Sequence, residues 1–240
     1  MKTKRILSLL LAVLMLALAS VSLASCKNSY EDETFHFAVM RGSNGDKTLD
    51  LKEVLDKKVT DLVIPAEFEE LPVVCTTNTA FDGCTQLKKL TFSENIEYIY
   101  HAKNQAFKAC SALEEIVFNC KYLKDNELQI NYGSSKGVTV TLGKDSSFGS
   151  DVFSGSTNLI AVKVEQGFSD NSVLYFSDCT KLESITYGGT KAEWCALLGV
   201  TEGACYSSKL LGEETDLYKE KSITVTCSDG DLVFQNGKAA

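Results

Sequence analysis

The chain has 240 residues, with 24 Lys and Arg against 32 Asp and Glu, for a formal net charge of −8 at pH 7. That acidic balance leaves no electrostatic case for nucleic acid, and none for an anionic lipid surface. With two prolines and no Pro-rich or Ser-rich linker, it reads as one domain with an N-terminal extension.

Lys2, Lys4 and Arg5 form a basic start, residues 6–19 are apolar, and Leu23-Ala24-Ser25-Cys26 closes the stretch. This is the pattern of a secretory signal over 1–25, with an apolar run too short for a permanent span. Leu-Ala-Ser-Cys resembles a bacterial lipoprotein box. The resemblance implies cleavage before Cys26, lipidation of its thiol, and a lipid-anchored protein at the bacterial cell surface. A plain secretory signal cut nearby is the alternative. Loss of the leader takes the net charge to −11, so the membrane is reached through the lipid anchor only. Residues 26–34 are polar and acidic and read as a tether.

Residues 35–58 read as an N-terminal cap. Phe35-His36-Phe37-Ala38-Val39-Met40 is expected to be a first strand, and residues 49–55 a short helix or an irregular strand. Beyond it, over 59–189, the chain repeats itself. Ala80-Phe81-Asp82-Gly83-Cys84-Thr85-Gln86-Leu87-Lys88-Lys89-Leu90-Thr91-Phe92 is followed by Ala106-Phe107-Lys108-Ala109-Cys110-Ser111-Ala112-Leu113-Glu114-Glu115-Ile116-Val117-Phe118. Looser copies begin at Val152-Phe153 and Tyr175-Phe176, and a degenerate one supplies the strand Val138-Thr139-Val140-Thr141-Leu142. Repetition on this scale means stacked units rather than a globular enzyme core. The last strand residues Phe92, Phe118, Leu142, Val164 and Tyr187 are spaced 26, 24, 22 and 23 apart, and Ile64 precedes the first by 28.

Each unit ends in a strand of period 2, with Leu90 and Phe92 on one side and Lys89 and Thr91 on the other. Stacked in parallel about 4.8 Å apart, such strands share one core and one exposed face. The units resemble the BspA-like leucine-rich repeat, which reads roughly Ile-Gly-x-x-Ala-Phe-x-x-Cys-x-x-Leu-x-x-Ile. Ile64-Pro65 with Glu70-Leu71-Pro72-Val73 resembles its entry segment. Ile185-Thr186-Tyr187-Gly188-Gly189-Thr190 with Glu193-Trp194, then Val225-Thr226-Cys227-Ser228-Asp229-Gly230, resembles its closing segment. The resemblance implies a mainly β repeat solenoid: a right-handed superhelix of stacked parallel strands with atypical end caps. The chain departs from the pattern at Thr76-Thr77, where Ile-Gly is usual, and in an insertion over 98–104. Residues 190–240 read as the C-terminal cap, with a short helix around Glu193-Trp194-Cys195 and a closing strand Ile223-Thr224-Val225-Thr226-Cys227.

Nine cysteines in an exported chain raise the question of disulfides. Cys84, Cys110 and Cys179 share one repeat position with Ser156, which points to a small buried side chain. Disulfides between adjacent coils stay open, since the coil spacing lies within Cα reach of a bridge. Cys75 and Cys120 are left without a partner. Cys195–Cys205 and Cys205–Cys227 are candidate bridges.

Little points to catalysis. His36 and His101 stand without a neighbouring nucleophile in the sequence and read as surface residues. Gly133-Ser134-Ser135-Lys136-Gly137 fits a hydrolase string but precedes a strand rather than a helix. There is no phosphate loop, no Gly-x-Gly-x-x-Gly and no Cys-x-x-Cys, and Asp229-Gly230-Asp231 reads as a turn. No enzyme activity, cofactor or metal is expected. The candidate ligand face is Lys89, Glu115, Thr139, Ala161 and Ser184 beside Thr91, Val117, Thr141, Lys163 and Thr186. Threonine is also simply a good strand residue facing water. Tyr98, Tyr100, Tyr122 and Tyr132 are candidate aromatic contacts near the irregular coils. The family resemblance implies adhesion to an extracellular protein, a glycan or neighbouring cells. A structural spacer or envelope subunit is the rival.

Overall fold

A computed structural model of the chain describes residues 27–77, 79–101, 105–124, 128–149, 152–212 and 221–236. Residues 1–25, read as a leader, and Cys26, read as the lipidation site, lie outside the described residues. The fold opens with β1 (Ser29–Glu31) and β2 (Phe35–Arg41), which run antiparallel, and β2 pairs antiparallel with β3 (Lys47–Val54). Ser29–Glu31, read as tether, is therefore an edge strand. Its Tyr30 packs on the core, with Lys27 Nζ 4.4 Å from the ring centroid. Of residues 49–55, left open between helix and strand, all but Leu55 belong to β3, where Leu49, Leu51 and Val54 are fully buried.

The main sheet stacks one strand per coil. β4 (Asp61–Ile64) starts it, and β5 (Glu67–Phe68) with β6 (Leu71–Thr76) forms a hairpin leading to the far side of the coil. β7 (Lys89–Phe92) pairs parallel with β4, and β8 (Tyr98–Ile99) pairs parallel with β6. β9 (Glu115–Phe118), β10 (Val138–Leu142), β11 (Leu159–Val164) and β12 (Ser184–Tyr187) continue the main sheet in parallel. β13 (Ile223–Cys227) adds a last parallel strand, and β14 (Gly230–Phe234) folds back antiparallel on it. A second, shorter layer is β3, β6 and β8, paired in parallel and followed by one bridge, Leu123 to Phe148.

Ile64, Phe92, Phe118, Leu142, Val164 and Tyr187 are successive Cα partners across the main sheet. The repeat spacing thus becomes the strand register. Their side chains, with Leu90, Ile116, Val140, Val162 and Ile185, point into the core. Fully burying a side chain of this size contributes about 1.5–3 kcal/mol. The rings of Phe92 and Phe118 stack at 5.3 Å and 7°, and Phe81, Phe107, Phe148 and Phe153 tilt against them. One strand could bury none of this alone, so the coils are stable only together.

The return between strands is a tight turn. Cys84, Cys110, Ser156 and Cys179 each donate a backbone N–H to the phenylalanine carbonyl three residues back. The residue before each has positive φ in three units: Gly83 at 81°, Gly155 at 73° and Asp178 at 57°. Ala109 holds this place in the second unit, and there the positive φ falls on Phe107, at 59°. A Cβ makes the left-handed region costly, and a bulky side chain does not remove that cost.

The C-terminal cap helix, Lys191–Leu198, forms where the sequence placed it. Thr190 caps it through a reciprocal box with Glu193, and Gly199 ends it in the left-handed region. Trp194 is fully buried and packs its ring 5.2 Å from Tyr187.

Candidate binding surface

Alternation along a strand puts every second side chain on the solvent side, and parallel stacking lines these up in columns. One column runs Asp61, Lys89, Glu115, Thr139, Ala161, Ser184 and Thr224. The next runs Val63, Thr91, Val117, Thr141, Lys163, Thr186 and Thr226. The residues read as a ligand face therefore do share one face. It extends a strand further at each end, through Asp61 and Val63 and through Thr224 and Thr226, which the repeat units alone did not reveal.

Charge on this face is self-contained. Glu115 lies 3.3 Å from Lys89 Nζ on β7 and 3.5 Å from Lys163 Nζ on β11, and Thr141 Oγ1 donates to it at 3.3 Å. Partial burial pushes the Glu115 carboxyl up, but the two lysines and the threonine hydrogen bond outweigh it. They hold the group below the usual carboxylate range. Half-exposed pairs of this kind add at most about 1 kcal/mol of stability. A partner meets short hydroxyls, a few methyl groups and, at the centre of the sheet, one carboxylate held between two lysines.

Exposed aromatic chemistry gathers elsewhere, at the insertion of the second unit. The Tyr98 and Tyr100 rings stack at 5.8 Å and 3°. Lys124 Nζ lies 5.1 Å from the Tyr98 ring centroid and pairs with Glu97 at 2.5 Å. Tyr132 sits 5.9 Å from Lys108 Nζ. Tyr122 is exposed and makes no ring contact with the other three among the described residues. Beside Tyr100 opens a cleft of about 460 Å³, lined by Thr77, Thr79, Phe81, Asp82, Ile99, His101, Gln105 and Phe107 among others. The sequence had not marked Thr77, Thr79, Asp82 or Gln105 as contact residues. The insertion itself was the signal that could have found them.

His36 lies half-buried in β2 opposite Glu31 and Glu53, and His101 half-buried at the cleft. Ser134 of the hydrolase-like string is 8% exposed in a coil turn, where Gly137 N–H donates to its carbonyl at 2.9 Å. β10, not a helix, follows. A Cβ at Gly137 would run into the Ile160 side chain of the next coil, so this glycine serves close packing. Ser228 and Asp229 turn β13 into β14, so of the turn read at Asp229-Gly230-Asp231 only Asp229 lies in it, and Gly230 and Asp231 open β14.

The eight described cysteines are free and buried. Cys179 Sγ donates to the Phe153 carbonyl of the preceding coil at 3.2 Å, and Ser156 Oγ accepts the Ile130 N–H at 3.0 Å. A small polarisable or hydroxyl side chain therefore satisfies backbone between coils, which explains the exchange of Cys and Ser. The candidate bridges Cys195–Cys205 and Cys205–Cys227 are not formed. Cys205 Sγ is instead held by the Thr201 carbonyl at 3.6 Å, and Cys227 Sγ by that of Val225 at 4.0 Å. Among the described residues no helix is long and apolar enough to cross a membrane.

The family model of the BspA type leucine rich repeat region matches residues 76–194 in six copies. Among solved structures, a T. pallidum leucine-rich-repeat protein is 22% identical, with a TM-score of 0.39, over 62% of this chain and 68% of that one. A leucine-rich cell surface protein from Faecalibacterium prausnitzii is 10% identical, with a TM-score of 0.23, over 80% of this chain and 100% of that one. No curated protein matches the sequence.

Proposed function

The chain belongs to the BspA-type leucine-rich-repeat proteins, and from that premise we propose that it is a non-catalytic binding module on the outside of a bacterial cell. Its partner is an extracellular protein or a glycan, and its role is adhesion. The observation that carries this reading is the outer face of the main sheet. Seven parallel strands hold two registered columns of mostly short side chains there, with the one central carboxylate, Glu115, paired to two lysines. Solenoids use such extended faces for contact. The leader exports the chain and an acyl group on Cys26 tethers it. Incorporation of a labelled fatty acid, lost in Cys26→Ala, is the check on the tether.

The test of the module is a binding screen of the purified protein against immobilised matrix proteins, mucins and glycans at physiological salt. Saturable binding, weakened by Thr91→Glu with Thr141→Glu and Lys163→Glu while circular dichroism is unchanged, supports the face. Unchanged affinity removes it.

A second reading, a structural subunit of an envelope assembly, draws on one observation. The main sheet ends at β4, which pairs with β7 alone and leaves Val63 55% exposed. An open strand edge is a template for another strand. Crosslinking in the native cell tests it: a trapped envelope partner favours assembly, and recovery of monomer alone counts against it.

A further inference from the structure

We propose that the cleft beside Tyr100 is a saccharide site. The inference rests on the binding-module reading and gives it a second location and a ligand class.

The cleft lies where the second layer loses its regularity. β8 has two residues, and beyond it the layer continues as the single bridge between Leu123 and Phe148. Space remains beside Ile99 and Tyr100, floored by Phe81 and Phe107. Phe107 also carries the displaced positive φ, so the floor holds a strained backbone position, the kind of residue found at ligand clamps.

A sugar ring presents two chemistries, a face of C–H bonds and a rim of hydroxyls. Tyr100 suits the first. Its side chain is 53% exposed and lines the cleft, while Tyr98, stacked in parallel behind it, does not. A backed, flat aromatic ring offers contact area at low entropic cost. Thr79, Asp82 and Gln105 suit the second, supplying a hydroxyl, a carboxylate and an amide at the exposed rim. The lining carries one acidic and one basic side chain, Asp82 and Lys108, so its formal charge sums to zero, which favours a neutral ligand over a phosphate or an acidic peptide. Size favours a short oligosaccharide over a protein. A volume of about 460 Å³ lies within the range of small-ligand sites, roughly 300–1,000 Å³. A stable protein partner needs about 800 Å² on each side, far more than this cleft presents.

The test titrates the purified protein by calorimetry with an N-acetylglucosamine trimer, a mannose trimer and lactose, beside the panel of matrix proteins. Tyr100→Ala and Gln105→Ala probe the cleft, and Thr141→Glu probes the sheet face. The expected result is saturable binding of at least one sugar, weakened about tenfold by Tyr100→Ala and unchanged by Thr141→Glu. The inference is overturned if no sugar binds, or if binding survives both cleft substitutions. Binding of a matrix protein that Tyr100→Ala weakens also overturns it, by putting a protein in the cleft. Protein binding lost only in Thr141→Glu, with no sugar bound, ends the cleft proposal and leaves the module standing. No binding to sugar or protein ends both.

Discussion

Burial pushes the Cys110, Cys120 and Cys179 thiols up from the ordinary 9.0 to about 12. They are protonated at neutral pH and inert as nucleophiles. Thiol labelling followed by mass mapping should leave all three unmodified in the native protein and modify all three after denaturation. The same shift predicts alkaline instability. An unfolded chain ionises these thiols near 9, while the folded chain keeps their protons to about 12. The stability they contribute is therefore complete below 9 and is lost between 9 and 12, at about 1.4 kcal/mol per pH unit for each thiol. A urea midpoint that stays constant across that window would contradict the assignment. A second prediction concerns the hairpin between β5 and β6. Its two central residues, Glu69 and Glu70, have φ of 49° and 65°. Both central positions of such a two-residue turn require positive φ, and a residue other than glycine there costs roughly 1–3 kcal/mol. Glu70→Gly should raise stability by about 1 kcal/mol. A lower melting temperature would show that the glutamate makes an offsetting contact.

Among the elements, the phenylalanines carry the coupling between coils. Phe118 on β9 is fully buried, stacks on Phe92 of the preceding coil, and meets Phe148 edge-on at 5.6 Å and Phe153 at 5.8 Å. Phe118→Ala removes the ring from both interfaces at once and should cost about 3–5 kcal/mol, read from urea denaturation. A cost below about 1 kcal/mol would mean the core collapses freely around the gap. The cap helix is held differently, by polar contacts at its first turn. Thr190 N–H donates to Glu193 at 2.7 Å, and Gln166 of the previous coil also donates to Glu193. These bonds, that of Thr190 first, hold the Glu193 carboxyl below the usual carboxylate range.

At the scale of the molecule, each strand of the main sheet pairs only with its neighbours, so stability accumulates along the stack and openings begin at its ends. Hydrogen exchange read by mass spectrometry should be slowest in β10 and β11, which have partners on both sides and lie furthest from the ends. It should be faster in β4 and β14, the two edges. Equal protection across all of these strands would show a single cooperative unit instead. The same one-dimensional build separates the two candidate surfaces. The sheet face repeats with every coil, whereas the cleft beside Tyr100 occurs at the one insertion that breaks the repeat.

The sequence by itself determined the main sheet and its register. Ile64, Phe92, Phe118, Leu142, Val164 and Tyr187 could be aligned by spacing because, in a parallel stack, one repeat length is one register step. Period-2 patterning then fixed which side chains, such as Thr141 and Lys163, face outward. The helix around Trp194 was legible for the same local reason, and so was the small buried residue at Cys84 and Ser156. Tertiary structure alone decided what depends on contacts without a period. Ser29–Glu31 became a strand only because β2 offers it an edge. Residues 47–54 settled as a strand through pairing with β2 and β6. Glu115 is neutralised by lysines one and two coils away, 26 and 48 positions along the chain. Tyr100 shares a cleft with Thr79, Asp82 and Gln105 only through the packing of neighbouring coils. No spacing rule predicts where an insertion comes to rest, since its position is set by the packing of the coils on either side.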